Sequence, residues 1–149
     1  MRKRTGGLFG LFLFFVLIPH SQAMYSDDVI VHMDSGWKAA QNVAKPTGIK
    51  KADEKKHKLE THWTEDQVVR RSGPLKKWTS QTYRRRFRYT IQLTQQHELL
   101  HFEILGEFEQ KPAQSPPQAP WRKAPPFSED YDVERSVFMQ ILGELQKLH

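Results

Sequence analysis

An α+β fold is what this sequence predicts: a single antiparallel β-sheet with two helices packed on one face, in the order β-α-β-β-β-β-α. Three observations carry the prediction. From Tyr83 to Leu93 apolar and polar residues alternate, with Tyr83, Phe87, Tyr89, Ile91 and Leu93 on one parity and Arg84, Arg86, Arg88, Thr90 and Gln92 on the other. From Leu100 to Phe108 the alternation returns, with Leu100, Phe102, Ile104 and Phe108 inward and His101, Glu103 and Glu107 outward. Successive strand side chains point to opposite faces, so each run is a half-buried strand, and the polar tip Thr94–Glu98 between them makes a hairpin. Thirdly, Val133, Val137, Ile141 and Leu145 recur every four residues, the spacing of an amphipathic helix whose apolar face needs a sheet to cover.

The remaining elements follow in chain order. Val29-Ile30-Val31, within Tyr25–Met33, suits a first strand. Asp34 and Ser35 offer oxygens to cap a helix whose stripe is Trp37, Ala40, Val43 and Ala44. Pro46 and Gly48 stop it. Ile49–Asp53 is a short strand, Asp53-Glu54-Lys55-Lys56 a charged turn, and Lys58–Thr64 a further strand with Leu59, Thr61 and Trp63 on one face. Residues 65–82 lose the alternation and read as a loop. Residues 111–126 hold six of the nine prolines and run extended over the surface, with Trp121 available to dock them on the sheet. The C-terminal helix covers about residues 130–148, with Ser128, Glu129, Asp130 and Asp132 supplying oxygens and negative charge at its start.

Residues 1–23 are set apart from the fold. Arg2, Lys3 and Arg4, the apolar run Leu8–Ile18 and the small residues Ser21 and Ala23 describe a secretory signal peptide, too short in its apolar part to span a bilayer. Cleavage after Ala23 leaves one domain, 24–149, with no transmembrane span; the alternative is that the segment stays as an uncleaved N-terminal anchor. Cleavage removes three basic residues and no acidic one, lowering the formal charge from +6 to +3. Export argues against nucleic acid as a partner. With no cysteine, the chain has neither a disulfide nor a thiol, and its core alone must hold it together.

Two patterns bear on chemistry. His97-Glu98-Leu99-Leu100-His101 matches H-E-x-x-H, in which two histidines one helical turn apart bind zinc and the glutamate activates water. On a strand those histidines would stand about 13 Å apart. The pattern therefore needs a helix across residues 94–109, and Glu129 or Glu134 as third ligand. The hairpin reading excludes it, leaving no catalytic, metal or cofactor site; a zinc hydrolase is the alternative that a helix there would revive. The second pattern is the basic cluster Arg84, Arg85, Arg86 and Arg88. Arg84, Arg86 and Arg88 share a solvent face on which Glu103 and Glu107 of the next strand can pair with them, and with Trp78 they form the candidate binding surface for envelope proteins or an anionic envelope surface. A small-ligand carrier, with Trp37, Trp63 and Phe102 lining a pocket between helix and sheet, is a further alternative.

Gly36-Trp37-Lys38-Ala39-Ala40, Gly48-Ile49, the Thr-x-Trp run ending at Trp63, and the arginine strand Arg84–Leu93 with its hairpin partner resemble the repeat domain of BamC-like (NlpB-type) outer-membrane assembly lipoproteins. The resemblance covers about Val29 to Trp121 and implies a helix-grip-like domain of the bacterial cell envelope that acts through protein contacts. The chain departs from that family in lacking a lipid-attachment cysteine and in having one such domain rather than two. The expectation is an exported, periplasmic, non-enzymatic binding or scaffolding protein, peripheral to a membrane at most.

Overall fold

The computed structural model describes residues 23–72, 79–124 and 128–148. The predicted leader, apart from Ala23, and Trp78 lie outside these residues. The described elements are β1 (Ala23–Val29), α1 (Met33–Ala44), β2 (Ile49–Asp53), β3 (Lys58–Thr61), β4 (Thr64–Ser72), β5 (Thr79–Gln96), β6 (Leu99–Pro112), β7 (Arg122–Lys123) and α2 (Ser128–Lys147). They form one antiparallel sheet in the order β1-β6-β5-β3-β2, with β4 also on β5 and β7 also on β6. Both helices pack on one face, so the α+β architecture expected from the sequence is the one observed.

The β5–β6 hairpin is the spine. It pairs from Tyr83↔Pro112 to Gln96↔Leu99, which leaves only His97 and Glu98 as its loop. The five-residue polar tip expected from the sequence is thus a two-residue turn, with Thr94–Gln96 still in the ladder. His97 takes φ +57, the positive value that the first loop residue of a two-residue hairpin turn requires. Histidine is not the residue that usually announces such a turn.

The apolar parity predicted for β5 and β6 is the buried one. Tyr89, Ile91, Leu93, Leu100, Phe102 and Ile104 join Leu59 beneath Ala39, Ala40 and Val43 of α1 and Val137, Phe138, Ile141 and Leu145 of α2. Burying each large side chain contributes roughly 1.5–3 kcal/mol. Phe102 and Tyr25 both pack on Phe138, at 5.9 and 5.2 Å between ring centres, which fixes α2 over β1 and β6.

Four expectations need correction. Residues 65–82 are not one loop, because β4 pairs with β5 from Thr64↔Phe87 to Ser72↔Thr79. Between β3 and β4 the register on β5 slips by one residue, from Glu60↔Thr90 to Thr64↔Phe87, which is a β-bulge. The slip inverts the parity. Leu59 and Thr61 face the helices, whereas Trp63 is delivered to the opposite face. In β1, the expected centre Val29-Ile30-Val31 falls at the strand's end, because the ladder with β6 stops at Val29↔Leu100, beside the hairpin turn. Ile30 is left 80% exposed. The start of α1 is His32, with no side-chain cap, so Asp34 lies within the first turn, where it complements the helix dipole instead of capping.

The proline-rich segment does not run extended where it is described: Lys111 and Pro112 end β6, turns close at Pro112–Ser115 and Pro116–Ala119, and Arg122 and Lys123 add a two-residue strand beside Gln110 and Glu109. Two glycines are held by packing. A Cβ on Gly36 of α1 would collide with Leu100 of β6. A Cβ on Gly106 of β6 would collide with Glu134 Oε1 of α2, so only glycine lets this fully buried carboxylate reach the sheet.

Candidate functional site

The outward face of the sheet carries the arginine row, and no described helix covers it. Antiparallel pairing sets Arg86 opposite Glu109 and Arg88 opposite Glu107. Arg88 donates to Glu107 Oε2 through Nε (2.9 Å) and Nη2 (2.7 Å), and through Nη1 to Glu60 Oε1 (2.6 Å). Arg86 Nε donates to Glu109 Oε2 at 2.6 Å, and Arg84 Nη2 to Glu65 Oε2 at 3.0 Å. Glu103, expected as a partner, stands opposite Gln92 instead. The Glu60 carboxyl is held below its ordinary value, first by the hydrogen bond from Lys50, which outweighs the opposing effect of burial, and further by the charges of Arg88, Lys50 and Lys51.

Two indoles interleave with these cations. The Arg86 guanidinium lies 4.7 Å from the Trp63 ring centre and 4.8 Å from that of Trp121. Arg88 also sits over Trp63 (4.8 Å), and Lys111 Nζ over Trp121 (4.7 Å). Lys111 Nζ further donates to Pro117 O (2.8 Å) and Ala119 O (3.3 Å), so the proline-rich segment and its tryptophan close one end of the face. Each cation–π contact contributes about 0.5–2 kcal/mol and each half-exposed ion pair up to about 1 kcal/mol. The arginine row is thereby paired within the molecule.

Arg85, one position away, behaves differently. Its parity takes it to the helix side, where it is buried and grips Asp66 with two bonds, Nε to Oδ1 at 3.0 Å and Nη2 to Oδ2 at 2.6 Å. It lies over the rings of Phe87 and Phe108, at 5.6 and 5.8 Å. A cavity of about 520 Å³ opens here between the end of α1, α2 and the sheet, lined by Val43, Asp66, Arg85, Phe87, Tyr89 and Val133 among others. Burial pushes the Tyr89 phenol above its ordinary value. The trio expected to line a carrier pocket is dispersed: Phe102 is fully buried, Trp37 packs edge-on against His57, and Trp63 is on the other face.

The H-E-x-x-H residues do not share a helix face. His97 and Glu98 form the hairpin turn, and His101 lies outward on β6, its Nδ1 2.7 Å from Asp28 Oδ1. Glu134 is buried against Gly106, and no group of three or more metal-ligating side chains occurs among the described residues. The pattern does not build the zinc centre that its spacing suggested.

A second concavity, of about 650 Å³, lies between the β2–β3 turn and the end of β5. Lys51, Lys55, Lys56, Lys58 and His57 line it together with Asp53, Glu60, Gln92, Thr94 and Gln95, over Met33, Leu59 and Leu93. Sequence reasoning read this turn only as a charged turn. The residues that complete the cleft come from positions 33 and 92–95, which no local pattern brings together.

No protein-family model matches the chain, and no curated protein matches its sequence. Solved structures of similar trace include a DUF4468 family protein from Bacteroides ovatus (15% identity, 82% of this chain and 85% of that one, TM-score 0.48). A TBP-like protein from Parabacteroides distasonis is 11% identical over 84% of this chain and 93% of its own, with TM-score 0.48. A conserved protein from Geobacillus kaustophilus is 10% identical over 85% and 93%, with TM-score 0.38.

Proposed function

We propose that this chain is an exported, non-enzymatic binding or scaffolding protein of a bacterial cell envelope, and that the open face of its sheet meets a protein partner. The observation that supports this is the composition of that face. Arg84, Arg86 and Arg88, with Trp63 and Trp121, stand on a sheet surface left uncovered by the helices. Tryptophan and arginine are enriched among the residues that anchor protein interfaces, tryptophan because its large rigid indole has two torsions to freeze, arginine because its planar guanidinium donates several hydrogen bonds and stacks on rings. The carboxylate beside each arginine cuts the attraction of this face for a polyanion. It leaves alternating positive and negative positions that a complementary protein surface can match.

Export rests on the basic start, apolar run and small residues of 1–23, and membership in a BamC-like assembly group on the motifs quoted for it. Both belong to this proposal. Mass spectrometry of the chain recovered from its host should find a mature form beginning at Met24.

The test of the binding face uses a photo-crosslinking amino acid at Thr90, on the open face, and at Lys38, on the exposed side of α1. Adducts with an envelope protein are expected from position 90 and not from 38, and they should disappear in the Trp63→Ala/Trp121→Ala variant. Equal yields from both positions, or adducts indifferent to the tryptophans, would refute the assignment.

The cavity beside Arg85 favours a second reading, a carrier for a small amphipathic molecule with its apolar part against Val43, Phe87 and Val133. Displacement of a bound fluorescent fatty-acid analogue, abolished by Val133→Trp, would support it; no saturable uptake of the probe would dismiss it.

A further inference from the structure

The lysines of the β2–β3 turn stand apart from the arginine row. Among the described residues, the pairs that neutralise Arg84, Arg86 and Arg88 have no counterpart at Lys51, Lys55, Lys56 or Lys58. The two carboxylates in the same cleft are already engaged. Asp53 Oδ1 accepts the backbone N–H of Lys56 at 3.1 Å, and Glu60 Oε1 is shared by Lys50 (2.9 Å) and Arg88 (2.6 Å). Four lysines therefore line one concavity against two carboxylates: Glu60, opposite Lys51 in the ladder and already shared by Lys50 and Arg88, and Asp53, opposite Lys58, so the cleft keeps an excess of positive charge.

The turn that carries them is held in place. His57 takes φ +46, a left-handed conformation that a residue with a Cβ adopts at a cost. It is fastened to β5 by Leu93 N–H on His57 O (3.0 Å) and by Gln92 Nε2 on Lys56 O (2.7 Å). The His57 ring also stands edge-on to Trp37 of α1, 5.6 Å between centres. Lys55, Lys56 and Lys58 are thus presented over the cleft by a fixed backbone, which lowers the entropy lost when a ligand is gripped. The volume, about 650 Å³, falls within the range of small-molecule sites, and the cleft is open to solvent on its lysine side.

We propose that this cleft is an anion site for a phosphate-bearing ligand. A phosphate group presents several oxygens and up to two negative charges, so it can accept from more than one lysine at a time; lysine, a compact point charge on a flexible stem, suits that geometry. Thr94 adds a hydroxyl, and Met33 an apolar wall, for the part of the ligand next to the phosphate. The ligand is either a soluble phosphoester or the head group of a lipid. A neighbouring concavity, which also includes Gln95, is lined by the highly exposed Ile30 with Val31 and His32, and would meet the acyl region in the second case.

The experiment titrates the full mature chain with inorganic pyrophosphate by calorimetry, and in parallel sediments it with phosphatidylcholine vesicles with and without phosphatidic acid. Wild type is compared with Lys55→Gln/Lys56→Gln and Ile30→Ser, all at exposed positions. Pyrophosphate binding weakened about tenfold or more by the lysine substitutions, and unchanged by Ile30→Ser, supports the site with a soluble source. Sedimentation only with phosphatidic acid, reduced by both variants, supports it with a lipid source. Binding that the lysine substitutions leave intact, or no binding in either arm, overturns the proposal.

Discussion

The arginine row of β5 and the lysine turn between β2 and β3 are both dense in positive charge, yet they use it in opposite ways. Arg86 is clasped by Glu109 in the adjacent strand and by indoles at 4.7 and 4.8 Å. Lys55 and Lys56 protrude from a turn, over a cavity, and among the described residues neither forms an ion pair with a carboxylate. The difference arises from register. An antiparallel ladder places a residue of the next strand directly opposite, so β6 can supply a glutamate to each of Arg86 and Arg88. A turn has no opposite strand. Charge density in a sequence therefore says little about which cations are available to a partner; what stands across the ladder decides it.

The sharpest way to break this comparison is by truncation. Arg86→Ala removes an ion pair and two ring contacts together, and should lower unfolding stability by about 1–3 kcal/mol in urea denaturation. Lys55→Ala and Lys56→Ala should stay within about 0.5 kcal/mol of wild type, as exposed turn positions do. Equal losses from the two regions would erase the distinction. A double-mutant cycle of Arg86→Ala with Glu109→Ala, whose side chains are 27% and 29% exposed, should return a coupling of about 1 kcal/mol. The same cycle on Lys50 and Glu60, where the lysine is 48% exposed, should return about half of that or less.

A smaller effect is expected at the turns. His97→Gly relieves a left-handed histidine and should be neutral or stabilising by up to about 1 kcal/mol, measured by thermal melting. A large loss there would show that the histidine side chain holds the hairpin. The subtlest effect is acid sensitivity. Glu60 has its folded pKa below the ordinary 4.5, so its contribution is full above that pH and declines as pH falls through the lower folded value. Glu60→Gln should flatten that part of the acid limb in a pH series of denaturation curves and lower stability by a pH-independent amount above neutrality.

Much of the fold was legible because burial leaves a period in the sequence. Phe102, Ile104 and Phe108 alternate with residues that face out, and Val137, Ile141 and Leu145 return every four. β4 was not legible, since its helix-facing residues include Asp66 and Arg70, and a strand that turns charges inward shows no apolar alternation. Trp63 was assigned to the wrong face because a one-residue bulge reverses parity and no glycine marks it. Arg85 carried a usable signal: strict alternation from Tyr83 to Phe87 already places it on the core side. The lysine turn was visible as a turn. Its cleft was not, because Met33 and residues 92–95 reach it only through the strand order β6-β5-β3-β2.

One measurement bears on both regions at once. Backbone amide resonances of the mature chain are followed by NMR during a pyrophosphate titration at low salt. The account predicts saturable shifts at residues 51–58 and 92–95, and none beyond general salt effects at 84–88 and 107–111. Shifts concentrated on the arginine row, with the β2–β3 turn unmoved, would show that the paired arginines are the cations open to a ligand, and would contradict it.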